Sequence, residues 1–165
     1  MPTAVELDVV RLILDERWGA VATLNDGEPL ASMVAYAPEP KLDGVLFFLS
    51  QLSQHTRNLL ADPRASLAIT RPDTGEGDPQ LLPRVPLTGR VEVIDRDSAG
   101  WGPASAVYVS RFPDAAPRFE LGDFLLLRLR PAAARYVGGF ARAFSMMPEE
   151  LAEAAAALTS GMAGR

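Results

Sequence analysis

Leu46–Ala65, LFFLSQLSQHTRNLLADPRA, is the stretch on which the reading of the fold turns. Val45–Leu49 is short, aliphatic and aromatic, which suits a strand covered on both faces, and Leu59 and Leu60 return at helical spacing after Ser53. Between strand and helix lie Ser50, Gln51, Ser53, Gln54, His55, Thr56 and Arg57, a run of hydroxyl, amide, imidazole and guanidinium groups. Ser53 is the expected N-cap of a helix from Gln54 to Ala61, which stops before Pro63 because the residue ahead of a proline is pushed out of the α region. The leading amides of a helix have no intrahelical partners and carry the positive end of its dipole, so this junction suits an anion such as a phosphate. An ordinary capped helix uses the same residue types, and both readings stand at this point.

Composition narrows the field. The chain has 165 residues, 48% of them hydrophobic, enough for one domain with its own core. A net charge of −5 and a pI near 4.9 disfavour a sequence-independent grip on nucleic acid or on an anionic membrane. A local basic pocket near Arg57, Arg84 and Arg90 remains compatible with that charge. The absence of cysteine excludes disulfides, thiolate metal sites and a cysteine nucleophile, and fits a cytoplasmic setting. With a single histidine, His55, one chain cannot build a clustered histidine metal site. No GxSxG elbow accompanies it, and neither a membrane span nor a signal peptide is read from the sequence.

Taken in order, Thr3-x-x-Glu6 is a capping box ahead of an amphipathic helix whose apolar face is Leu7, Val9, Val10, Ile13 and Leu14, ending near Trp18 and Gly19. Ala20–Leu24 and Leu30–Tyr36 form a hairpin around Asn25-Asp26-Gly27. Ala65–Thr70 reads as a strand, Arg71–Pro83 as a polar loop, and Arg84–Asp95 as a long strand with a bulge near Gly89. A helix is expected within Ser98–Phe112, then two strands, Asp123–Arg130 and Arg135–Val137, separated by Pro131. Gly138-Gly139-Phe140 offers a close backbone approach, and a last helix begins near Pro148 with Glu149 and Glu150 complementing its dipole. Strands joined by short connections favour an α+β barrel-like sheet over a doubly wound parallel one.

The segments GAVATLNDGEPLASMVAYA, FFLSQLSQHTRNLLADPRASLAI, PRVPLTGRVEVI, RFPDAAPRFELGDFLLLRLRP and RYVGGFARAF span nearly the whole chain. In that order the sequence resembles the pyridoxamine 5′-phosphate oxidase-like, FMN-binding split-barrel family, more closely its haem-utilisation branch. The resemblance implies one α+β domain over residues 1–165, a six-stranded antiparallel split β-barrel with flanking helices. It also implies a homodimer with FMN at two symmetric sites between subunits. Ser32, Met33 and Val34 then match the strand lining the flavin and its phosphate side. Ser50, Ser53, Gln54 and His55 match the segment closing around the phosphate, with Arg57 beside them, and Arg84 falls where the family places a polar contact to the flavin ring. Family oxidases carry arginine at the position of Ser32 and an Arg-Lys pair at Gln54 and His55, so fixed positive charge is depleted here. The chain ends SGMAGR without the arginine-rich substrate motif of vitamin B6 oxidases, so that specific activity is not expected.

Three functions follow. The leading expectation is an FMN-dependent oxidoreductase of unknown substrate, with the flavin supplying the electron chemistry. Its alternative is haem binding or degradation, in which His55 or a tyrosine replaces the C-terminal histidine of the family's haem degraders and Arg142 meets a propionate or the distal face. The third is a dimer that has kept the barrel and lost its cofactor.

Overall fold

The computed structural model describes residues 1–139 and 143–163, with side chains described as far as residue 160. Its first helix, α1 (Ala4–Asp15), opens with the expected box: Glu6 N donates to Thr3 Oγ1, and Thr3 N donates to the Glu6 carboxylate. The helix is shorter than the sequence suggests. Glu16 turns extended, and Trp18 and Gly19 already belong to β1 (Trp18–Asn25), where a Cβ on Gly19 would stand 2.8 Å from the Ala68 carbonyl oxygen. The hairpin to β2 (Glu28–Ala35) turns on Asp26 and Gly27, both at positive φ (51° and 86°), as a two-residue connection between twisted strands requires.

After the two-residue β3 (Ala37–Pro38) comes β4 (Val45–Ser50), followed by α2 (Gln54–Ala61), β5 (Arg64–Thr70) and β6 (Arg84–Val93). The remainder is α3 (Trp101–Arg111), β7 (Phe124–Val137), β8 (Ala143–Met146) and α4 (Pro148–Ala163). All pairs are antiparallel, in the order β2-β1-β5-β6-β7-β4-β3, with β8 on β7. The six long strands are the expected split barrel, curled and flanked by helices; β3 and β8 are short additions that the sequence did not reveal. Helical turns also form at Pro79–Leu81, inside the expected loop, and at Pro113–Glu120, beyond the helix expected within Ser98–Phe112.

The expected break at Pro131 is absent, and β7 runs through it. The register slips between Thr88 and Gly89, so Gly89 opposes Pro131 and Ala132 is the extra residue of a bulge on β7. A proline is tolerated at such a slip because it interrupts the ladder. Gly89 is needed there: a Cβ would lie 2.0 Å from the Arg130 carbonyl oxygen.

Strand alternation feeds two cores. Val45, Phe47 and Leu49 of β4, with Leu127 and Leu129 of β7, fill the barrel together with Val9, Val10, Leu12 and Ile13 of α1 and Leu151, Ala154 and Ala155 of α4. Leu46, Phe48 and Leu126 point the other way, onto Ala104 and Tyr108 of α3. Each fully buried leucine or phenylalanine contributes about 1.5–3 kcal/mol, which explains why this strand pair is apolar apart from Arg128 and Ser50. No helix among the described residues is long and apolar enough to cross a membrane.

Candidate functional site

β3 pairs with β4 only at Val45 and Leu46, and β2 has no neighbour besides β1. β2 and β4 therefore approach without pairing, and α2 packs over this opening onto β1 and β2. The helix is locked to the hairpin by a buried polar chain. Gln54 Nε2 donates to Asn58 Oδ1 (2.8 Å), Asn58 Nδ2 to Thr23 Oγ1 (3.0 Å), and Thr23 Oγ1 to the Leu30 carbonyl (3.4 Å). Asn58 and Thr23 are 3% and 2% exposed, so each must be paired inside the fold. Sequence reasoning missed both, since residues 35 positions apart leave no local pattern.

The candidate residues divide between this opening and elsewhere. Ser50 is engaged in its own turn, donating to Asp123 Oδ2 at 2.8 Å and accepting from Leu52 N at 3.1 Å. Ser53 occupies the N-cap position of α2, yet its hydroxyl makes no capping bond, contrary to expectation. Arg57 is exposed and folds back, donating to the Leu52 carbonyl and to Gln54 Oε1 at 2.9 Å each. The helix's one guanidinium is thus committed to its own first turn.

His55 is half-buried in that turn and its imidazole has no hydrogen bond among the described residues; burial pushes its pKa below the ordinary histidine value, which keeps the imidazole neutral near pH 7. Beside it, Thr56 is fully buried with its hydroxyl unpartnered.

On β2 the three expected residues do not share a face. Val34 is 3% exposed and belongs to the barrel core, Ser32 lies on the same side, and Met33, 47% exposed, points outward. Met33 lines a groove of about 360 Å³ with Trp18, Ala20 and Ala68 on the outer face of β1, β2 and β5.

Arg84 is further removed. It pairs with Thr70, and the strand order puts it three strands from β2, roughly 14 Å across the sheet at the usual strand spacing. There it lines a second groove of about 400 Å³ with Arg135, which sequence reasoning did not single out; its signal was alternation with Ala133 and Val137 along one strand face. A single chain therefore sets α2 against β1 and β2, keeps Val34 in the core, and leaves Met33 and Arg84 on the outer face. Gly138 approaches its own chain, with room for a Cβ denied by the Tyr136 ring, while Phe140 and Arg142 lie outside the described residues. No group of three potential metal-ligating side chains occurs among the described residues.

Residues 9–151 match the family model described as CREG, beta-barrel. A chloroplast haem oxygenase of Arabidopsis thaliana, HOZ, is 36% identical over 120 residues, covering 72% of this chain and 35% of that protein. The haem oxygenase HutZ of Vibrio cholerae is 27% identical over 122 residues, covering 73% of this chain and 69% of HutZ. Among solved structures, a haem-binding protein from Mycobacterium smegmatis superposes with a TM-score of 0.82 at 30% identity, covering 93% of this chain and 62% of that one. The chain thus spans about a third of the chloroplast relative and under two thirds of the mycobacterial protein. The names of these three relatives specify haem, which the sequence reading gave as the alternative to FMN.

Proposed function

This chain belongs to the CREG β-barrel family, and from that premise we propose that it binds haem at the opening between β2 and β4, with oxidative haem degradation as its activity. One observation carries the choice of haem over a flavin nucleotide. Of the two basic side chains in the first turn of α2, Arg57 is spent on its own turn, whereas His55 is neutral and unpartnered. A phosphate needs the first kind of group free; iron needs the second. Bound haem supplies a redox-active iron. The chain's own part is to offer the His55 imidazole as the protein ligand to that iron and to exclude water with apolar surface.

The working unit in this proposal is a homodimer. Trp18 and Met33, 57% and 47% exposed, stand among Ala20 and Ala68 on an outer sheet face whose small residues let a second copy approach closely. A flavin remains the second reading, favoured by the buried, unpartnered Thr56 hydroxyl beside the open amides of α2.

Parallel absorption titrations of purified protein with haem and with FMN separate the two. The account expects saturable haem binding with a shifted Soret band and at most weak FMN binding. Tight FMN binding with only nonspecific haem spectra would reverse the assignment.

A further inference from the structure

We propose that Leu52 is a ligand-contacting residue, the apolar seat on which the ring of a planar macrocycle packs beside His55; with the haem reading above, on which the ligand's identity rests, that ring is the porphyrin. Leu52 immediately precedes Ser53, the N-cap of α2, and is 75% exposed, more than any other large apolar side chain among the described residues except the N-terminal Met1. A residue in this place ordinarily packs on the fourth residue of the helix as a hydrophobic staple. Here the fourth residue is Arg57, whose Nη1 donates to the Leu52 carbonyl at 2.9 Å. The polar half of the contact is made and the apolar half is missing. The backbone beneath it is nevertheless pinned: Leu52 N donates to Ser50 Oγ at 3.1 Å, Gln51 N to the Asp123 carbonyl at 2.7 Å and Ser53 N to the Ser50 carbonyl at 3.1 Å. A leucine on fixed backbone loses little freedom when a ligand covers it.

The same turn is unfinished in three further respects. Ser53 makes no capping bond, the half-buried His55 imidazole has no partner among the described residues, and the fully buried Thr56 hydroxyl has none. A helix start of this length normally satisfies itself, and sites where local rules fail together are where function is placed. A phosphate held by the leading amides would leave Leu52 in water, whereas an apolar ring whose iron takes His55 covers the leucine as it binds. Imidazole and leucine lie three residues apart on one turn, so a single flat ligand reaches both.

The test titrates native protein, Leu52→Ser, Leu52→Met and Leu81→Ser with ferric haem and with metal-free protoporphyrin IX, a probe that needs no iron ligand. Leu81, 51% exposed on the connection between β5 and β6, is the control of like exposure. Leu52→Ser should weaken both porphyrins by about tenfold. Leu52→Met should bind almost as native does, because the swap conserves apolar volume, and Leu81→Ser should be unchanged. The electron paramagnetic resonance signature of bound ferric haem should be the same in Leu52→Ser as in native protein, since the leucine touches the ring and not the metal. The unfolding midpoint should also hold, as for any exposed side chain. Native affinity in Leu52→Ser, an equal loss in Leu81→Ser, a lowered unfolding midpoint, or dissociation of a dimer by Leu52→Ser in sedimentation each overturns the assignment; in the last case the leucine serves the second copy. If Leu52→Ser binds as native does while haem binding still depends on His55, the haem reading stands without the leucine; if native protein binds neither porphyrin, both fall.

Discussion

α2 and α3 both cover the sheet, and they are built on opposite terms. α3 lies on β3 and β4 over an aromatic layer in which Phe48 stacks on Phe119 at 3.8 Å and 5°, flanked by Tyr108 and Phe124. Its surroundings are closed by arginines that cap carbonyls: Arg96 donates to Phe119 and Leu121 and lies over Trp101, while Arg111 donates to Leu14 and Glu16 and lies near the Tyr36 ring. α2 buries Thr56 and Asn58 instead, leaves the Thr56 hydroxyl unpartnered, as α3 leaves Arg111 Nε, and holds the chain's only histidine half-buried. Apolar stacking stabilises the fold on the α3 side, whereas the α2 side is held by polar groups that each cost stability when left unpaired.

The sharpest way to break this contrast is to hollow out the α3 side. Phe48→Ala should cost about 3–5 kcal/mol in denaturant unfolding and leave the haem affinity of the folded protein unchanged. A small loss would mean that the aromatic layer is not a stability centre. On the α2 side, Asn58→Ala removes the link to Thr23 and should cost about 1–3 kcal/mol, since a buried partner is orphaned. Thr56→Val, by contrast, deletes a hydroxyl that bonds to nothing and should be neutral or stabilising by up to about 1 kcal/mol. A large destabilisation by the valine would show that the hydroxyl is already satisfied in solution.

The smallest effect concerns pH. Because burial lowers the His55 pKa below its unfolded value, the unfolded chain binds the proton more readily, so His55 favours folding above the unfolded pKa near 6.5 and disfavours it as pH falls. His55→Gln should flatten the loss of stability as the pH falls below about 6.5. An unchanged slope would assign that loss to other groups.

How much of this the sequence carried depends on the range of the interactions. α2 was legible to its end residues, Gln54 and Ala61, because its cap position and Pro63 lie within a few residues of one another. The hairpin was legible from Asp26-Gly27, for the same local reason. β7 was misread at Pro131 because the residue that excuses the proline, Gly89, lies on another strand. His55 stood out through being alone, and its surroundings could not be read, since burial is a tertiary property. Thr23, Asn58 and Arg135 draw their meaning from neighbours far away in sequence. Ser32, Met33 and Val34 were grouped by the family resemblance, whereas strand alternation separates Met33 from the other two.

The most direct measurement is the absorption and electron paramagnetic resonance spectrum of the ferric haem complex, recorded for the native protein and for His55→Ala. The account predicts an imidazole-ligated iron in the first and loss of that signature in the second, reversible by added free imidazole. Identical spectra from both proteins would contradict it.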